Sequence, residues 1–222
     1  MFSFEAWWQI LTTKLPVFFQ GVGTTVELAL YTAIFGTLLG IVVALLRMSR
    51  VKVLKVLAGA YIEFLRGTPL LVQVLIVFYG LPQLGIKLPR MTAGTVALVI
   101  NSAAYMAEIV RSGIQAIDGG QTEASRSLGM NGVQTMVYII LPQAIKNILP
   151  AIGNEFVSII KESSILYTIG IYELTYQANK LASTNFRYLE TLTISALIYF
   201  VLTFTASRLL GMLERRMRRG DR

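Results

Sequence analysis

Cysteine and histidine are both absent from the 222 residues. Without cysteine there is no disulfide framework and no thiolate metal site. Without histidine there is no imidazole to act as base or metal ligand, which disfavours most hydrolase chemistry. Charge is scarce: 14% of residues are Asp, Glu, Lys or Arg, against about 25% in ordinary soluble domains. No Gly-Lys pair occurs anywhere, so the G-x-x-x-x-G-K-[ST] phosphate-binding loop is missing. The chain is expected to be no enzyme and to hold no cofactor. Any nucleotide-driven work must draw its energy from another protein.

What remains is apolar. Hydrophobic residues make up 55% of the chain, in runs that belong in lipid rather than in a globular core. An all-α integral membrane fold with five spans is expected, each needing about 20 apolar residues. The spans read as 22–48, 64–84, 91–117, 142–167 and 187–213. One transmembrane domain, 1–222, accounts for the whole chain. Within it, residues 1–18 read as an interfacial segment carrying Trp7 and Trp8, 119–133 as a polar loop and 214–222 as a basic tail. The first residues lack a basic n-region and a small-residue cleavage site and contain Glu5, so a signal peptide is not expected.

The net charge of +8 is gathered in loops and at the C-terminus. No face of interleaved basic and aromatic residues suggests nucleic acid. Arg47, Arg50, Lys52 and Lys55 in the first loop, and Arg215, Arg216, Arg218, Arg219 and Arg222 in the tail, set both on the cytoplasmic side. Five spans then put the N-terminus outside and the loop 119–133 inside.

That loop opens a stretch of ordered spacing, QTEASRSLGMNGVQTMVYIILP. Glu123, Ala124 and Ser125 are followed by three residues, Gly129, nine residues, then Ile139-x-Leu141-Pro142. The pattern resembles the EAA loop of bacterial ABC importer permeases, with Ser125 where a second Ala is usual. The segments 63–73, 104–114, 153–156 and 161–165 resemble the polar amino-acid subgroup of the same family. The resemblance covers about 63–165 and the five-span layout. It implies a permease subunit of an ATP-driven importer in the bacterial cytoplasmic membrane. Its partners would be two copies of a separate ATP-binding subunit, a second permease subunit, identical or homologous, and an extracellular solute-binding protein. The coupling residues would be Glu123, Ala124, Ser125, Leu128, Gly129, Met130 and Gly132, forming a short cytoplasmic helix that inserts into a cleft of the ATPase. Glycines at 129 and 132 allow a turn where side chains would clash.

Charged groups inside a span cost about 2.5–3.5 kcal/mol at its centre and mark a pathway or a pair. Asn101, Tyr105 and Glu108 fall at i, i+4 and i+7, on one helical face. Asn154 and Ser158 share another face with Glu155 beside them, and Gln73 lies deep in the second span. Two acids with no histidine favour a cationic or zwitterionic solute, and a basic amino acid is expected. Glu108 or Glu155 would take its ammonium or guanidinium, and the neutral groups would supply hydrogen bonds. The alternative is structural pairing, Glu108 with Arg111 at i+3 and Glu155 with a base on another span. Gly36-x-x-x-Gly40 matches a close-packing pattern, and Pro150 reads as a kink. From function classes without a motor, the alternative is an ATP-independent channel or an ion-coupled amino-acid carrier.

Overall fold

The computed structural model describes residues 2–218, with side chains described as far as residue 216. The tail arginines Arg219 and Arg222, and the side chain of Arg218, lie outside the described residues. Among the described residues every regular element is a helix. The helices are α1 (Phe4–Met48), α2 (Lys52–Gly67), α3 (Leu70–Gln83), α4 (Arg90–Gln115), α5 (Gly119–Ser127), α6 (Gly132–Ile169), α7 (Leu174–Asn185) and α8 (Tyr188–Arg218). Four of them, α1, α4, α6 and α8, are long and apolar enough to cross a membrane, and α2 with α3 supplies a fifth span if the bent pair counts as one.

The second span, expected as one run at 64–84, is a bent pair of helices instead. α2 and α3 meet at 108° across Thr68 and Pro69. The Pro69 ring disfavours helical backbone at the residue before it, and Thr68 is extended, at φ −118° and ψ 148°. Gln73 satisfies the groups freed by the break. Its Nε2 donates to the Leu65 carbonyl at 2.8 Å, the Thr68 carbonyl at 3.1 Å and Thr68 Oγ1 at 2.8 Å. In lipid no water could serve these carbonyls.

Residues 4–18 are continuous with the first span. The 45-residue helix is about 68 Å long at 1.5 Å per residue, twice the hydrocarbon thickness of about 30 Å. Its first third is held by packing. Ile10 and Phe18 lie buried with Leu174, Ala178 and Ile194, and Trp7 Nε1 donates to Thr193 Oγ1 at 3.2 Å. The stretch between the spans expected at 142–167 and 187–213 contains the helix α7. Glu173 caps it, accepting from the amides of Thr175 and Tyr176 at 2.9 and 2.6 Å and from the Tyr199 hydroxyl at 2.7 Å. Glu173 is fully buried, and that burial pushes its carboxyl up to about 7.

α6 starts ten residues before the expected 142. A widened π-helical turn covers Thr135–Ile140, and another covers Ile76–Gly80 in α3. Each is followed two residues on by a proline, Pro142 and Pro82. A proline has no N–H to offer the preceding turn, and widening that turn absorbs the mismatch.

α1 and α4 form the centre. A Cβ added at Gly40 would collide with Met106 and stand 3.0 Å from the Ala103 carbonyl, so the Gly36/Gly40 pair serves packing inside this chain. Two apolar clusters extend from that contact. At one end Val43, Ala44, Ile62, Ala107, Ala144 and Ile148 join α1, α2, α4 and α6. At the other, Leu28, Val74, Leu98, Leu166 and Ile171 join α1, α3, α4 and the end of α6.

Candidate functional site

Only three residues separate α4 from α5, and four separate α5 from α6. Both joints are tied. Asp118 Oδ1 accepts from the Gly120 amide at 2.6 Å and caps the start of α5. At the other end Gly129 takes φ +82°, a left-handed value. The amides of Gly129 and Met130 return to the carbonyls of Arg126 and Ser125 at 3.0 and 3.1 Å, which completes a Schellman stop. Asn131 begins α6 with a capping box. Its Oδ1 accepts from the Gln134 amide at 2.9 Å, and Gln134 Oε1 accepts from the Asn131 amide at 2.8 Å. Both ends of the helix are thus held by backbone and side-chain caps.

One face of α5 is anchored. Ser125 is buried, and its hydroxyl bonds the Thr122 carbonyl at 2.9 Å and Thr135 Oγ1, in the π turn of α6, at 3.0 Å. The opposite face is free. Glu123, Ala124 and Gly129 are exposed, Met130 is half-buried, Gly132 is exposed, and Leu128 is 84% exposed at the tip. The helix thus presents an exposed apolar side chain at its polar, capped end.

The polar residues of the spans sort into three groups. Gln73 and Asn101 are joined, with Asn101 Nδ2 donating to Gln73 Oε1 at 2.9 Å, both side chains buried beside the α2–α3 break. Glu108 is ion-paired with Arg111, which also reaches Gln115, while Tyr105 lies beneath the Arg66 guanidinium, 5.3 Å from the ring centre. Glu155 faces α4, where Ser102 Oγ donates to its Oε1 at 3.2 Å. Ser158 is half-buried one turn further along α6. Asn154 is exposed and lines a groove of about 270 Å³ between α6 and α8.

Ser102 was not singled out in the sequence, although it adjoins Asn101. Glu162 was also passed over, although it lies seven residues from Glu155 and so on the same helical face. Among the described residues no basic side chain forms an ion pair with Glu155, whereas Glu162 feels the charge of the adjacent Lys161. No group of His, Cys, Asp or Glu suited to a metal occurs among the described residues.

Residues 36–219 match the family model described as the binding-protein-dependent transport system inner membrane component. The probable amino-acid permease protein YxeN of Bacillus subtilis (strain 168) is 40% identical over 213 residues, 95% of each chain. The arginine transport system permease protein ArtQ of the same organism is 40% identical over 209 residues, covering 94% of this chain and 95% of that one. The probable glutamine ABC transporter permease protein GlnM, also from B. subtilis (strain 168), is 40% identical over 209 residues, covering 94% and 96%. A solved structure described as an amino acid ABC transporter with histidines superposes with a TM-score of 0.91 at 49% identity, over 97% of this chain and 99% of that one.

Proposed function

The chain belongs to the binding-protein-dependent transport system inner membrane components, as a permease subunit of the amino-acid ABC type, and from that membership we propose that it carries a basic amino acid inward through a solute site built on Glu155. It is a multi-pass component of the cytoplasmic membrane and a transport subunit, not an enzyme. Permeases of such importers work with ATPase subunits.

One observation carries the solute reading. Glu155 is a half-buried carboxylate within a span, oriented by Ser102 at 3.2 Å, with no cation of this chain beside it. A carboxylate in a span requires a counter-charge, and a guanidinium or ammonium on the solute provides it. Glu162, on the same face, adds a second negative charge for the solute's other cationic group. Ser158, one turn along α6, supplies a neutral hydrogen bond, whereas Asn154 lies in the groove toward α8 and is not part of this site. Asn101 and Gln73 hold the α2–α3 break, while Glu108 with Arg111, and Tyr105 beneath Arg66, form a polar layer nearer the coupling segment. The names of the relatives divide between arginine and glutamine at equal identity, so the choice rests on Glu155. The solved neighbour is described with histidines, whose imidazole takes up a proton just below neutral pH.

In the proposed cycle two ATP-binding subunits seat the α5 knobs of two permease subunits, this chain and an identical or homologous one. An extracellular solute-binding protein delivers the solute on the opposite side. Closing of the ATPase pair on ATP pushes α5, and the Schellman stop and capping box relay the push to α4 and α6. The push shifts the two-state equilibrium only by its different contacts in the two states. The C-terminus and α5 are cytoplasmic in this scheme and the N-terminus is outside. Ligand-stimulated ATP hydrolysis by the assembled transporter, across a panel of amino acids, tests the reading. Arginine, lysine and histidine are expected to stimulate and glutamine is not; equal stimulation by neutral amino acids overturns the basic specificity.

A further inference from the structure

Glu27 is a carboxylate on α1 that nothing above uses. It has no hydrogen-bond or ion-pair partner among the described residues. It lines a cavity of about 500 Å³ whose wall also contains Thr24, Arg90, Met91 and Tyr172. Arg90 is only partly engaged, with its Nη1 donating to the Gly170 carbonyl at 3.1 Å. The two opposite charges face one space without forming an ion pair with each other. A ligand that carries a cationic and an anionic group satisfies both.

The space continues downward. A second cavity of about 470 Å³ shares Met91 and is lined by Tyr31, Phe35, Thr95, Val96 and Val99. Tyr31 and Phe35 lie one and two helical turns from Glu27 along α1, toward the end that leads to Met48. The tract is thus charged at its mouth and apolar along its length.

Depth fixes where that mouth lies. Glu27 is 21 residues from the α1 end at Met48, about 32 Å at 1.5 Å per residue. Arg90 starts α4, whose other end leads into the coupling helix. With a hydrocarbon core of about 30 Å, both charges reach the headgroup layer on the side opposite α5, while Tyr31 and Phe35 sit among acyl chains.

We propose that the tract between α1 and α4, with Glu27 and Arg90 at its mouth, holds one phospholipid whose headgroup bears both an ammonium and a phosphate. Arg90 takes the phosphate oxygens and Glu27 takes the ammonium, both as charge-assisted hydrogen bonds. One acyl chain fills the trough beside Phe35 and Val99. A free amino acid has both charges but nothing to occupy the apolar length. A phosphoglycerol headgroup has the phosphate but nothing for Glu27.

The test is native mass spectrometry of the permease purified in detergent, delipidated, and re-exposed to phosphatidylethanolamine or phosphatidylglycerol with identical acyl chains. The wild type is expected to retain one phosphatidylethanolamine per chain in about tenfold preference, the size of one charge-assisted bond. Glu27→Gln is expected to abolish the preference and Glu27→Asp to keep it. Arg90→Gln should lower retention of both lipids, and Thr95→Trp, which fills the trough, should remove both. Equal retention of the two lipids by the wild type overturns the proposal, as does an unchanged preference in Glu27→Gln. Displacement of the lipid by free arginine would assign the mouth to the solute. A disulfide formed between copies carrying Tyr31→Cys and Thr95→Cys would assign the trough to a second copy. Either result also overturns the proposal.

Discussion

Ser125 Oγ and Thr135 Oγ1 lie 3.0 Å apart, both side chains buried, and this hydroxyl pair clamps the exposed helix α5 to the first turns of α6. Ser125 stands where the family pattern has alanine, and Thr135 is its structural complement. Leaving one buried hydroxyl without its partner costs about 1–3 kcal/mol, whereas removing both is nearly neutral. Ser125→Ala and Thr135→Val are each expected to lower the thermal unfolding midpoint of the purified permease. The double variant is expected to lose less than the sum of the two. Additive losses would show that the two hydroxyls do not act together.

Leu128 gives the knob its apolar tip. Burying a leucine contributes about 1.5–3 kcal/mol, so Leu128→Ala is expected to weaken association with the ATPase subunit roughly 10- to 100-fold. Permease abundance and unfolding temperature should stay unchanged, because the side chain is 84% exposed. Titration of the purified permease with its ATPase measures this, and unchanged affinity would move the contact elsewhere on α5.

Glu155 and Glu108 are expected to respond differently. Glu155→Gln removes the carboxylate oriented by Ser102 and should raise the apparent KM for a basic amino acid by about tenfold or more, the loss of one charge-assisted interaction. Glu108→Gln leaves Arg111 without its ion-pair partner and should act on folding yield or turnover with KM kept. Uptake at matched membrane abundance separates them. An unchanged KM in Glu155→Gln contradicts the proposed solute site.

The knob was legible in the sequence because its signals are local. Glu123, Gly129 and Pro142 keep fixed spacings, and a left-handed Gly129 stops a helix by backbone geometry alone. The break at Thr68-Pro69 is equally local, since a proline biases the residue before it away from helical backbone, but it lies inside the apolar run that reads as one span at 64–84. The continuity of α1 across Pro16 was not legible. It depends on Ile10 and Phe18 meeting Leu174, Ala178 and Ile194, more than 150 residues away in the chain. The same distance problem hid Ser102. Its bond to Glu155 spans 53 positions and depends on how deeply α4 packs against α6.

Glu173 carries a pH dependence. Its carboxyl is raised by burial from the ordinary 4.5 to about 7, so the folded state holds the proton more tightly than the unfolded state does. By linkage its contribution is fully present below about pH 4.5 and is lost as pH rises through about 7. Unfolding midpoints of the detergent-solubilised protein are expected to fall across that window, and less so in Glu173→Gln, which keeps a hydrogen-bonding cap on α7. Identical profiles for the two proteins would remove Glu173 from this role.

The coupling role of α5 is tested most directly by site-specific cross-linking. Single cysteines at Glu123, Ala124 and Leu128, placed in a chain with no native cysteine, are paired with cysteines on the ATPase surface in the assembled transporter. The account predicts that at least Leu128→Cys traps the ATPase and that the link stops solute-stimulated ATP turnover until it is reduced. Failure of all three positions to trap the ATPase, with uptake intact when residues 123–132 are scrambled, would contradict it.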